Sequence, residues 1–173
     1  MDNQTLFFSI YNLSHQSQIL DRVMVFITDY VLSLTILLTF ILAIKGKIAE
    51  KKALLLIILG IPISILLIQG IHLFISEPRP FVTYHFLPLA NNHAGSSFPS
   101  RHATIMAVIA FALTFLKSKW ASLFLVLMIV VGFSRIYVGV HYPLDILGGF
   151  ITGIISLVIA KQILKLIYLR FFR

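Results

Sequence analysis

The sequence contains no cysteine and only six acidic residues among 173. Without cysteine there are no disulfides, no thiolate nucleophile and no zinc-thiolate site, although this does not identify the compartment. Charged residues of both signs make up 12% of the chain, against roughly 25% in an average soluble domain. The N-terminal twenty residues lack the basic start, continuous apolar core and small-residue cleavage site of a secretory signal, so targeting is expected to fall to the first apolar segment. No linker, low-complexity tract or repeat divides the chain, and a single domain over residues 1–173 is expected.

What the chain has instead is apolar sequence, 59% of it hydrophobic. That composition belongs to an integral membrane protein. Segments long and apolar enough to cross a bilayer, at about 20 residues per crossing, lie near 23–44, 53–75, 100–116, 120–138 and 144–166. The expected fold is therefore all-α, a polytopic membrane bundle of about five transmembrane helices. Residues 1–20 mix Phe7, Phe8, Ile10, Tyr11 and Leu13 with polar residues, which fits either an interfacial helix or a soluble helical cap. Tyr137, Tyr142 and Trp120 read as aromatic belts at the membrane boundaries. Gly149 and Gly153, one helical turn apart, permit close approach of a neighbouring helix.

The net charge of +8 raises the question of a nucleic-acid partner, and the positions of the charges answer it. Lys45, Lys47, Lys51, Lys52, Lys117, Lys119, Lys161, Lys165, Arg170 and Arg173 fall on one side of this layout; only Arg22, Arg79, Arg101 and Arg135 fall on the other. The positive-inside rule then puts the C-terminus in the cytoplasm and the N-terminus outside. The charge is a topology signal, and no nucleic-acid partner is expected.

Three of the four outer arginines stand in clusters at the outer ends of the spans: His72 to Pro80, Phe98 to His102, and Ser134 to Asp145. Asp145 is the only acidic residue after Glu77 and follows His141 by four positions. An acid so placed can orient and charge the imidazole. Arginine forks match phosphate oxygens, and Ser100 at a helix start would add free backbone N–H groups that attract an anion. With His141 as nucleophile, Asp145 as its orienter and His102 protonating the leaving oxygen, the inventory fits a phosphate hydrolase. Asp145 alone would also suit a helix cap, and the two roles are compatible. His85 and His93 could be grouped with His102 as metal ligands, but hard-cation phosphatase sites use several carboxylates and this face offers too few, so no metal and no cofactor are expected. Asp29 and Glu77, near the boundary, suit either function or interfacial solvation.

These three clusters resemble the type 2 phosphatidic acid phosphatase superfamily, whose pattern is Lys-x6-Arg-Pro, then Pro-Ser-Gly-His, then Ser-Arg-x5-His-x3-Asp. Here the chain reads His72-x6-Arg79-Pro80, Pro99-Ser100-Arg101-His102 and Ser134-Arg135-x5-His141-x3-Asp145. The resemblance implies a metal-independent membrane lipid phosphatase with His141 as nucleophile, His102 as general acid, Asp145 as orienter, and Arg79, Ser100 and Arg135 on the phosphate. The small size and the N-terminal segment further resemble bacterial undecaprenyl-diphosphate phosphatases of the bacitracin-resistance type, which implies a polyprenyl diphosphate or another phosphorylated membrane lipid as the partner. Phosphatidylglycerophosphate, phosphatidic acid and lipid A phosphates are rival substrates, and a component that transports an anionic lipid or drug is the rival of another class. Two positions depart from the pattern. His72 replaces lysine and would contact phosphate with a charge that is partial near neutral pH. Arg101 replaces glycine, and either adds a contact to a second phosphate or points outward.

Overall fold

The computed structural model describes residues 2–90 and 95–171, with side chains through residue 167. His93, Arg173 and the side chain of Arg170, all named above, lie outside the described residues. The described residues form helices and connecting loops, with no strand among them. The helices are α1 (Asn3–Tyr11), α2 (Gln18–Phe26), α3 (Leu32–Lys45), α4 (Ile48–His72), α5 (Pro80–Thr83), α6 (Arg101–Phe115), α7 (Ala121–Tyr137) and α8 (Pro143–Phe171). A π-helical turn, Ile27–Val31, joins α2 to α3, so Gln18–Lys45 is one continuous 28-residue helix. Gln18–Lys45, Ile48–His72 and Pro143–Ile167 are long and apolar enough to cross a membrane, and α6 and α7 are shorter apolar helices.

The bundle is built around α6. Ala103, Ala107, Ala110 and Ala112 make it slender, and α4, α7 and α8 pack round it, enclosing Met106, Val108, Ile109 and Leu113. With 15 residues it rises about 22 Å, less than the roughly 30 Å of a bilayer's apolar core. An end of α6 therefore sits below the interface. Large apolar residues such as Leu37, Leu66, Val126 and Ile151 face outward, as a lipid solvent allows.

Gly149 and Gly153 let α8 lie directly on α6. A Cβ at Gly149 would stand 2.8 Å from the Ser100 carbonyl oxygen and 2.9 Å from Ala103 Cβ; one at Gly153 would stand 2.7 Å from Ala107 Cβ. The glycine pair thus serves packing inside the bundle. Gly149→Val is expected to destabilise the protein by about 3 kcal/mol through overpacking, seen as a lowered midpoint of thermal unfolding in detergent.

The N-terminal segment docks on the bundle more firmly than an interfacial helix need do. Phe7 is fully buried against Ala103, Ile136, Tyr142 and Ile146, stacks on Tyr11 at 5.4 Å and meets Tyr142 edge-on at 5.4 Å. Asn3 Oδ1 accepts the Leu144 N–H at 3.1 Å, so the chain start caps the helix that carries Asp145. This docking also corrects the reading of two tyrosines as belt residues. Tyr137 is 0% and Tyr142 5% exposed. The Tyr137 hydroxyl is covered by the turn before α2 and by the first turn of α2, 3.0 Å from the Leu13 carbonyl and 2.8 Å from Asp21 Oδ1.

Candidate active site

The local chain path explains how His141 arrives at the site. Helix α7 ends at Tyr137, and Gly139 takes a left-handed φ of +85°. Its N–H bonds the Ile136 carbonyl at 3.0 Å, and the Val140 N–H bonds the Arg135 carbonyl at 3.2 Å. This paired closure needs a residue tolerant of positive φ. A side chain is excluded on space as well, since a Cβ there would meet Phe86 at 2.7 Å and Tyr11 at 2.9 Å. The turn folds the chain back over the end of α7, next to Arg135, and delivers His141 to the start of α8.

Helix α8 begins with Pro143, which makes Tyr142 its N-cap and Asp145 its third residue. Asp145 Oδ2 reaches back to accept the Tyr142 N–H at 2.7 Å. The same oxygen lies 3.2 Å from His141 Nδ1. Capping and orienting therefore coexist in one carboxylate. Asp145 and His141 are 0% and 2% exposed.

The segment from Gly95 to Ser100 crosses this pair and links it to the loop between α4 and α5. Ser97 N–H donates to the Glu77 carbonyl at 2.8 Å, Arg79 Nε donates to the Gly95 carbonyl at 3.2 Å, and Ser100 N–H donates to the Asp145 carbonyl at 3.0 Å. Ser100 is the N-cap of α6, but its hydroxyl makes no capping bond. Its Oγ is buried without a partner among the described residues, as are one terminal nitrogen of Arg79, Arg135 Nε and Asp145 Oδ1. Buried polar groups are rarely left unpaired, at a cost of roughly 1–3 kcal/mol each. Three of these four groups suit a phosphate oxygen as partner.

His102 is the second residue of α6 and half-buried, within electrostatic reach of Arg135, His141, Arg79 and Arg101. Burial, and after it the positive charges of Arg135 and Arg79, hold the His141 imidazole well below the usual histidine range. The ring is neutral at pH 7 and keeps a lone pair, as a nucleophile requires. Burial and the neighbouring Asp145 charge push the Glu77 carboxyl up.

The fold thus brings Arg79, Ser100, His102, Arg135, His141 and Asp145 together. Arg101 is exposed at the start of α6. His72 closes α4, half-buried, with an enclosed and unpaired Nε2, and no hydrogen bond joins it to the other six among the described residues. His85 is exposed in a left-handed turn. Asp29 is exposed on the π-helical turn, while its neighbour Thr28 is buried and bonds Ser134 Oγ at 2.9 Å. Among the described residues no group of three His, Cys, Asp or Glu side chains is arranged to hold a metal ion.

One site residue has no counterpart in the motif reading. Ser97 is fully buried, with Oγ 2.5 Å from Asp145 Oδ2 and 3.3 Å from His141 Nδ1. Its only sequence signal is its place in Ser96-Ser97-Phe98-Pro99-Ser100, three residues ahead of the motif serine.

The sequence model of the PAP2 superfamily matches residues 53–168. Undecaprenyl-diphosphatase BcrC of Bacillus subtilis is 36% identical over 157 residues, which span 88% of this chain and 79% of that protein. The crystal structure of Aquifex aeolicus LpxE superposes with a TM-score of 0.77 at 26% identity, covering 92% of this chain and 94% of that one. The transmembrane PAP2-type phosphatidylglycerolphosphate phosphatase from Bacillus subtilis superposes with a TM-score of 0.67 at 25% identity, covering 94% and 84%.

Proposed function

Since the chain belongs to the PAP2 superfamily and is a membrane lipid phosphatase, we propose that it hydrolyses undecaprenyl diphosphate to undecaprenyl phosphate and inorganic phosphate through a phosphohistidine on His141. The observation that carries this reading is a buried imidazole held at Nδ1 by Asp145 beside unpaired donors from Ser100, Arg79 and Arg135. His141 Nε2 attacks the terminal phosphorus as the bond from phosphorus to the bridging oxygen breaks. His102 gives that oxygen a proton. Water then attacks the phosphohistidine, with the deprotonated His102 taking its proton, and releases phosphate. The arginines and Ser100 stabilise charge on the transferring phosphoryl group.

The choice of a polyprenyl diphosphate is supported by the likeness to BcrC across most of both chains. The likeness to the phosphatidylglycerolphosphate phosphatase keeps a glycerolipid monophosphate as the second reading. The asymmetry of ten cations against four supports a site on the extracytoplasmic side of a bacterial plasma membrane and a cytoplasmic C-terminus. There the enzyme would recycle the lipid carrier of cell-wall synthesis and confer resistance to bacitracin.

The test is phosphate release by purified protein in excess EDTA, with undecaprenyl diphosphate, phosphatidylglycerophosphate and phosphatidic acid offered separately. The account predicts undiminished turnover in chelator, with the diphosphate preferred. Faster release from a glycerolipid would replace the substrate, and activity restored only by a divalent cation would overturn the metal-independent mechanism.

A further inference from the structure

Ser97 lies outside the three motifs, yet it touches both members of the catalytic pair. Its Oγ, Asp145 Oδ2 and His141 Nδ1 form a closed triangle with sides of 2.5, 3.2 and 3.3 Å, and all three residues are almost wholly buried. The protons in that triangle are constrained by chemistry. A serine hydroxyl carries one proton and an ionised carboxylate accepts only. The short contact to Asp145 uses the Ser97 proton, so Ser97 Oγ can face the ring only with a lone pair. Both neighbours of Nδ1 are then acceptors. They are satisfied together only when Nδ1 carries the proton and the ring lone pair lies on Nε2.

The backbone holds Ser97 in that place. Its N–H is tied to the Glu77 carbonyl at 2.8 Å, and Ser100 N–H, three residues on, is tied to the Asp145 carbonyl at 3.0 Å. The segment is therefore pinned on both sides of the triangle.

We propose that Ser97 is a positioning residue that locks His141 in its Nδ1-protonated tautomer, with Nε2 free to attack, and shares the ring's positive charge while Nε2 carries the phosphoryl group. This rests on the phosphohistidine reading. Asp145 alone leaves a weaker constraint. Its Oδ2 already accepts from Tyr142 N–H, and at 3.2 Å it holds Nδ1 at the outer edge of a hydrogen bond. Without the Ser97 hydroxyl, the carboxylate would lose a donor and the ring an acceptor.

The test combines kinetics with the nitrogen resonances of ¹⁵N-histidine-labelled protein in detergent, the His141 signals being assigned by their loss in His141→Gln. Wild type is expected to show the Nδ1–H form alone. Ser97→Ala is expected to show a mixture of tautomers and to lose roughly 10- to 100-fold in kcat, the size of a lost orienting partner, with KM changed less than about twofold. Ser97→Cys nearly preserves side-chain volume and weakens the hydrogen bonds, so it keeps the test decisive if the alanine variant fails to fold; the same mixture is expected. Ser97→Thr retains the hydroxyl and is expected to recover most of the loss. A pure Nδ1–H signal in Ser97→Ala, or in Ser97→Cys where the alanine variant does not fold, would overturn the proposal, as would a loss confined to KM. The resting tautomer is read without turnover, so a failure of the phosphohistidine reading would appear separately, as normal tautomers in an enzyme that forms no phosphohistidine.

Discussion

Replacing His141 by glutamine is expected to abolish hydrolysis, lowering kcat by roughly 10⁴-fold or more, as loss of the proposed covalent nucleophile would. Glutamine approximates the length of the imidazole and presents an amide that can still meet Asp145, so the buried carboxylate is not left facing an empty cavity. The donors from Ser100, Arg79 and Arg135 also remain. Substrate binding is therefore expected to survive within about tenfold while chemistry is lost. Steady-state release of phosphate alongside equilibrium binding of the lipid separates these two quantities. Loss of binding with the residual rate intact would assign His141 to recognition rather than attack.

Replacing His102 by glutamine is expected to lower kcat on a lipid substrate by about 10²- to 10⁴-fold, the usual worth of the general acid proposed for it. The size of the loss depends on the leaving group. An alkoxide or a weakly acidic phosphate needs a proton as the bond breaks, whereas 4-nitrophenolate leaves without one. His102→Gln should consequently be much less impaired on 4-nitrophenyl phosphate than on the lipid, provided phosphorylation of His141 limits the rate. His102 sits on the first turn of α6, held near His141 by the glycine-mediated contact of α6 with α8, and shares its surroundings with three arginines. An equal loss on both substrates would place His102 among the binding groups or in the second, hydrolytic step.

The grouping of the candidate site residues was legible because it depends on residue types at short, fixed intervals. His141 and Asp145 are four apart, Ser100 and His102 two apart, and Pro143 marks the helix start that turns Asp145 back towards Tyr142. The all-helical class followed from long apolar runs, since a backbone in lipid must satisfy its hydrogen bonds within itself. What escaped the sequence depends on contacts between distant segments. Ser97 meets His141 and Asp145 from 44 and 48 residues away, and an uncharged serine beside two others carries no mark of that meeting. The π-helical turn contains neither proline nor glycine; Thr28 within it bonds Ser134, 106 residues on. Tyr137 and Tyr142 resemble belt residues because they stand at helix ends, and only the docking of the N-terminal segment, through Leu13, Asp21 and Phe7, shows them to be buried.

The two departures from the family pattern illustrate the same division. Arg101 occupies a glycine position on the first turn of α6, and its exposure places it at the rim of the arginine-rich site. His72 closes α4, and among the described residues it makes no hydrogen bond to the six candidate site residues. Its spacing from Arg79 is that of the family lysine.

The most direct test is to mix the enzyme with substrate labelled in the terminal phosphate, quench it in alkali within the first turnover, and map the label by peptide analysis. Phosphohistidine survives base and is lost in acid, which separates it from an acyl phosphate. The account predicts a base-stable, acid-labile label on His141 in wild type and none in His141→Gln. Turnover without any labelled histidine, joined to inversion of configuration at a chiral terminal phosphate, would mean direct attack by water and would contradict it.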